Sequence, residues 1–265
     1  MTHLLTDSLT DWLYSDQRRQ RPLSPLRPYS CPSSPIPHSQ AILIRGSECF
    51  SQYTGYASSF ACAGRFHDPA PMDADGYRDS HVVALDAIRL SAAQQQSLTQ
   101  FNGQALVREL RKCLVAVSRW PHEEEQERAA AAQSSRRSLH SLHSHAGQTG
   151  QTDEPPPQES TRAFATGKWG CGVFGGDPQL KSVLQWLAAS VAGRPVLFFP
   201  FSDAPLAAAL AALVAALATS ARPVSVGQLA AWTCAYKGEV RRLREVDRPT
   251  FFDFLFAKLG RHNEV

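Results

Sequence analysis

Apolar and polar positions divide the chain into short strands and amphipathic helices separated by two polar tracts. Ala41–Ile44, in AILIRG, is a short apolar run closed by Gly46, the pattern of a buried strand. His81–Ile88, HVVALDAI, repeats that pattern with β-branched residues. FSQYTGYASSF, between them, keeps neither period and reads as a loop. Leu106, Leu110, Cys113, Leu114 and Val117 then recur at helical spacing, which predicts an amphipathic helix with Arg108, Arg111 and Lys112 off its apolar face. RAFAT, Arg162–Thr166, is the next strand. Asp177 is placed to cap a helix that has Pro178 at its first position. Leu180, Val183, Leu184, Leu187 and Val191 form the buried stripe of that helix, and Gly193 ends it. Pro195–Phe199 is another buried strand, and Asp203 caps an Ala/Leu stretch, Pro205–Ala218. At about 14 residues that stretch is short for a membrane span and reads as a buried helix. Ser225 opens a helix over Val226–Tyr236, and FFDFLFAKL is the last apolar helix. Strands alternating with helices predict an α/β fold with a largely parallel sheet, in which residues 162–199 are one βαβ unit.

The polar tracts set the domain organisation. Residues 1–38 are rich in Pro, Ser and Arg and have few apolar side chains, the composition of a disordered tail. Asp7, Asp11 and Asp16 argue against a mitochondrial transit peptide, and Met1–Thr10 lacks the basic start and apolar run of a signal peptide. Residues 121–160 are a low-complexity insertion into a folded region that covers 39–265. The net charge of +3 gives no bulk argument for nucleic-acid binding, so an anionic ligand has to be held locally. Six cysteines lie scattered without CxxC or zinc-type spacing, which favours free thiols in a reducing compartment. His140, His143 and His145 have close spacing, but their low-complexity setting favours a solvated loop, and no metal or cofactor is expected.

GKWGCGVFGGD, 167–177, sets five glycines between a strand and a capped helix. A strand that turns through glycines into a helix start offers unpaired N–H groups and the positive end of the helix dipole, which suits an anion. Gly170 and Gly172 let a diphosphate approach the backbone, with Trp169 and Phe174 as apolar walls for a sugar or base. The segment is neither GxGxxG nor GxxxxGK[ST], so a Rossmann dinucleotide site and a P-loop both fit poorly. A tight turn that packs helix on sheet stands as the alternative, at even odds on chemistry alone.

ATGKWGCGVFGGDPQLKSVLQWLAAS closely resembles the C-terminal part of the poly(ADP-ribose) glycohydrolase catalytic domain. FSQYTGYA, HVVALDAI, LVRELRKCL and FFPFSD resemble it too, in the same order, over roughly residues 41–118 and 162–260. The resemblance implies a macrodomain-like mixed sheet flanked by helices, α/β in class and incomplete at its N-terminal side. It implies binding of ADP-ribose and hydrolysis of the ribose–ribose bonds of poly(ADP-ribose). Its implied partners are poly(ADP-ribose) and ADP-ribosylated proteins, without direct nucleic-acid or membrane contact, in the nucleus or the cytoplasm. Lys168, Trp169, Gly170, Cys171, Gly172 and Val173 look like the family's diphosphate loop, with Lys168 where the family usually has Asn. Phe174 resembles the aromatic that shapes the distal ribose pocket. Tyr56 and Phe201 resemble the two aromatics of the adenine pocket.

Glycosidic cleavage needs a proton donor for the leaving oxygen and support for a cationic sugar. In the resembled family a triple-glycine stretch followed by Gln-Glu-Glu does this and precedes the YTGY region. The 265 residues contain no triple glycine, and Glu123, Glu124, Glu125 and Glu159 lie in the polar insertion. No catalytic residue is therefore assigned. Cys171, in the diphosphate loop, reads as a packing residue. Three readings stay open: a truncated active enzyme, an inactive ADP-ribose-binding paralogue, and a fragment that cannot fold. The abrupt junction between the Pro/Ser-rich start and a buried strand favours the first.

Overall fold

The structure is a computed structural model that describes residues 41–55, 57–72, 76–118 and 162–264. Tyr56, the 1–38 tail, the 121–160 insertion, the three histidines and Glu123, Glu124, Glu125 and Glu159 lie outside the described residues. The elements in chain order are β1 (Ile42–Gly46), β2 (Ser51–Thr54), β3 (Ala61–Arg65), β4 (Arg78–Ala84), α1 (Ala92–Gln96) and α2 (Gly103–Val117). They continue as β5 (Phe164–Gly167), α3 (Pro178–Val191), β6 (Val196–Phe199), α4 (Ala204–Ala218), α5 (Val226–Val240) and α6 (Phe251–Glu264).

The α/β class holds, but the largely parallel sheet does not. Among the described residues the strands form three pairs: β1 with β4, antiparallel; β2 with β3, antiparallel; and β5 with β6, parallel. The connection lengths explain this. Residues 55–60 are too few for a crossover, so β2 and β3 pair as a hairpin. That hairpin sits within the excursion from β1 to β4, which returns to its start with Ile42 opposite Ala84. Only β5 and β6 have a full helix, α3, between them, and they run parallel with Phe164 opposite Val196. The region expected to be a loop thus carries β2.

The core lies among the helices. α3 is its centre: Leu180, Val183, Leu184, Leu187, Ala188 and Ala189 are buried, as are Lys181 and Gln185 on the rest of its surface. α2 packs along it through Leu106, Leu110, Cys113 and Val117. Phe101, Tyr236 and Phe251 close one end as a ring cluster, with centroids 4.5 to 5.3 Å apart and tilted planes. Such pairs contribute about 0.5–1.5 kcal/mol beyond area burial.

Two expectations about burial are corrected. Lys112, read as lying off the apolar face of α2, is fully buried, with its ammonium 2.6 Å from Asp86. The Ala/Leu helix α4 is not a buried helix. Only Leu206 and Leu213 are buried, because its small alanines leave one narrow edge against α6 and α3. Several strand side chains, including Ile42, Ile44, Val82 and Leu197, also remain exposed. A cavity of about 560 Å³ separates β4 from β5, lined by Val83, Leu85, Phe164, Thr166, Cys113 and Gln185.

Candidate functional site

The glycine segment leaves the end of β5 and enters α3. Asp177 caps α3, its carboxylate accepting from the Leu180 N–H at 2.9 Å, with Pro178 in the first turn. The Asp177 N–H in turn donates to Gln100 at 2.8 Å, which fixes the loop's far end on the segment before α2. Two left-handed glycines shape the turn, Gly170 at φ +75° and Gly175 at φ +70°. The Gly176 N–H donates to the Gly170 carbonyl at 2.9 Å and the Gly175 N–H to that of Gly172 at 2.9 Å. The Leu90 N–H donates to the Phe174 carbonyl at 2.8 Å, so the segment after β4 grips the loop as well.

These bonds leave one face of the loop polar and open. Among the described residues the N–H groups of Gly170, Gly172, Val173 and Phe174 have no partner. Gly172 is exposed, and a Cβ built on it meets nothing within 4 Å. The side chains of Val173 and Phe174 are exposed beside it. Unpaired amides exposed on a loop are donors that an anion can accept from. The cavity between β4 and β5 is a different place, since none of these four residues lines it.

The turn after β6 brings the second part of the site. Phe201 has φ +58°, unusual for a side chain with a Cβ, and its ring is 80% exposed. Its Cε2 would lie 3.1 Å from a Cβ on Gly167, at the base of the glycine loop. A bulky left-handed residue costs roughly 1–3 kcal/mol, a strain that clusters at functional sites; Leu98, at φ +54°, is the other such residue among those described, and it packs against the core. Lys168 reaches the same turn, where its ammonium meets Asp203 at 3.2 Å. Asp203 caps α4 through the Leu206 N–H, and that bond together with Lys168 holds its carboxyl below the usual carboxylate range.

The structure therefore gathers Lys168 through Phe174 with Phe201, from the ends of the two parallel strands. Trp169 and Cys171 face a different task from their neighbours. The Trp169 indole N–H donates to the Leu85 carbonyl at 3.2 Å, and its ring packs against the core. Burial pushes the Cys171 thiol up to about 12, which suits packing and not nucleophilic chemistry. Sequence reasoning missed the charges behind the loop: Lys181, Glu109 and Lys112 are buried, with Arg108 and Asp86 half-buried. Their one signal is position, since Glu109 and Lys112 adjoin the apolar stripe of α2, and Lys181 follows Leu180 in the apolar run of α3. Among the described residues no group of three His, Cys, Asp or Glu could hold a metal ion, and no helix is long and apolar enough to cross a membrane.

The family comparison agrees with the geometry. A family model described as poly(ADP-ribose) glycohydrolase, macro domain fold, matches residues 33–208. A probable poly(ADP-ribose) glycohydrolase 2 of Arabidopsis thaliana is 36% identical over 166 residues, which is 61% of this chain and 30% of the relative. Poly(ADP-ribose) glycohydrolase 1 of the same plant is 34% identical over 192 residues, covering 61% and 34%. The corresponding enzyme 1 of Caenorhabditis elegans is 27% identical over 176 residues, covering 64% and 18%. The chain thus spans about a third or less of the length of these relatives. With two thirds of its residues inside the family match, and the glycine loop among them, the chain belongs to the poly(ADP-ribose) glycohydrolase family.

Proposed function

We propose that this chain forms the ADP-ribose-binding part of a poly(ADP-ribose) glycohydrolase. The observation that carries the reading is the glycine loop itself, with four amide N–H groups unpaired among the described residues and exposed aromatic rings at Phe174 and, on the neighbouring turn, Phe201. The amides hold the diphosphate, Phe174 borders the distal ribose, and Phe201 stacks on adenine with Tyr56 as its counterpart. Hydrolysis of the ribose–ribose bond follows when the family's triple-glycine and Gln-Glu-Glu segment completes the site. The polymer and ADP-ribosylated proteins are the partners, in the nucleus or cytoplasm.

A second reading, a binding module without hydrolytic activity, draws on the carboxylates. Among the described residues, each carboxylate near the loop is already engaged: Asp203 with Lys168, Asp177 at the α3 cap, Glu109 in a buried ion pair with Lys181, and Asp86 in a half-buried one with Lys112. The deciding experiment incubates the full chain with labelled poly(ADP-ribose) and titrates it with ADP-ribose in parallel. Saturable binding with release of ADP-ribose supports the enzyme. Binding without release supports the module. A folded chain that binds neither ligand refutes both.

A further inference from the structure

Behind the loop, on the side away from Gly172, lies a charge that the diphosphate reading does not use. Lys181, in the second turn of α3, is 2% exposed. Its ammonium is paired with the Glu109 carboxylate and sits 4.2 Å from the centre of the Trp169 ring. A Cβ on Gly170 would come within 3.3 Å of that ammonium, and one on Gly176 within 2.9 Å of the Lys181 Cε. The lysine therefore lies directly under the two glycines whose mutual hydrogen bond closes the loop.

The network extends from there to α2, the segment after β4 and the end of β5. Glu109 also accepts from the Ile88 N–H at 3.2 Å and from Arg108. Arg108 reaches Asp86 at 2.5 Å, and Asp86 meets Lys112. One turn beyond Lys181, Gln185 donates to the Gly167 carbonyl at 3.1 Å and accepts from the Thr166 hydroxyl. Burial, with Arg108 close by, pulls the Lys181 ammonium below the usual lysine range, and the paired Glu109 carboxylate opposes that pull by favouring the charged form. A buried ion pair of this kind adds little net stability, since apolar residues of the same size do as well or better. What it does provide is direction: an ammonium held by Glu109 fixes the Trp169 ring and the Gly170 turn in one place.

We propose that Lys181, held by Glu109, is a positioning residue that keeps the loop's amides aimed at the diphosphate. The proposal rests on the diphosphate reading of the loop. It touches no ligand atom and acts through Trp169 and Gly170.

The test titrates the full chain with ADP-ribose and, separately, with adenosine, which reads the aromatic side of the site without the diphosphate. Lys181→Met combined with Glu109→Gln removes the pair without stranding a buried charge. The expected result is a folded protein whose ADP-ribose affinity falls at least tenfold while its adenosine affinity stays within twofold. An equal fall for both ligands overturns the proposal, because general loosening does that. Unchanged affinity for both overturns it too. Should the double variant fail to fold, Glu109→Gln alone keeps the shape and one acceptor oxygen. It is expected to lose ADP-ribose affinity several-fold and not adenosine affinity, and an unchanged ratio refutes the proposal. A wild-type chain that binds adenosine but gains nothing from the diphosphate refutes the loop reading itself.

Discussion

Gly170 and Gly172 are two residues apart, yet their substitution by alanine should have opposite effects. At Gly170 a Cβ would lie 2.6 Å from the Cβ of Ala87, on a backbone with φ +75°. Left-handed backbone costs a residue with a Cβ about 1–2 kcal/mol, and forcing a methyl into a filled space costs about 1–3 more. Gly170→Ala should therefore lose roughly 2–5 kcal/mol, a large share of the 5–15 typical of a domain. The matching fall in melting temperature is about 4–20 °C. At Gly172 a Cβ meets nothing within 4 Å, and the backbone is outside the left-handed region. Gly172→Ala should leave stability unchanged or raise it by up to about 1 kcal/mol through a less mobile unfolded chain. The new methyl would stand among the free amides, however, and ADP-ribose affinity should drop tenfold or more. Urea unfolding and calorimetric titration of both variants check the pair. A Gly172→Ala variant that binds ADP-ribose like the wild type refutes the assignment of the open face. A neutral Gly170→Ala refutes the account of the closed one.

Phe201→Gly relieves about 1–2 kcal/mol of left-handed strain and returns up to about 1 as backbone entropy; thermal melts should show equal or higher stability while ADP-ribose binding weakens, and a fall in both contradicts a functional origin for the strain. Leu184→Ala, in the middle of α3, should cost about 2–5 kcal/mol in urea unfolding, and a smaller loss shows that α3 is not the core's centre. Among the described cysteines, iodoacetamide at pH 8 should label exposed Cys62 first, because the Ser51 hydroxyl and the Gly64 backbone lower its thiol. Buried Cys113 and half-buried Cys171, the latter pushed up to about 12, should resist until the protein unfolds, and mass spectrometry gives the order.

The helices around the core were legible because their apolar stripes are long. Leu106 to Val117 and Leu180 to Val191 repeat for several turns, and the caps Asp177, Asp203 and Ser225 stand where the hydrogen bonds place them. The β2–β3 hairpin was not legible. SQYT and ACAGR are four and five residues long, almost wholly exposed, and carry no alternation for a period-two reading to find. α1 has five residues, none of them buried, and its signal is the Ser91–Gln94 capping box alone. The buried charges were hidden for another reason. A lysine on a helix is solvated in most proteins, and only the third dimension shows that Asp86 and Glu109 wait for Lys112 and Lys181. In the site, the loop's glycines announced themselves by number, but which glycine faces a ligand and which faces the core depends on φ and on neighbours far away in sequence.

The same division limits what the described residues can do chemically. Cleaving a glycosidic bond needs a carboxyl that is protonated near neutral pH and within reach of the leaving oxygen. Asp203 fails the first condition, since Leu206 and Lys168 keep it ionised. Asp177 has a raised pKa through burial, but it is committed to the α3 N-terminus, where its oxygen accepts from Leu180. Glu109 and Asp86 fail the second condition, because both lie behind the loop in ion pairs with Lys181, Arg108 and Lys112. The outer face offers neutral N–H donors and exposed aromatic surface, and no free carboxyl among the described residues near it. On the proposed reading binding and cleavage are separable: the β5–α3 and β6–α4 turns supply the grip on ADP-ribose, and the proton for the leaving ribose comes from a carboxyl outside these two turns.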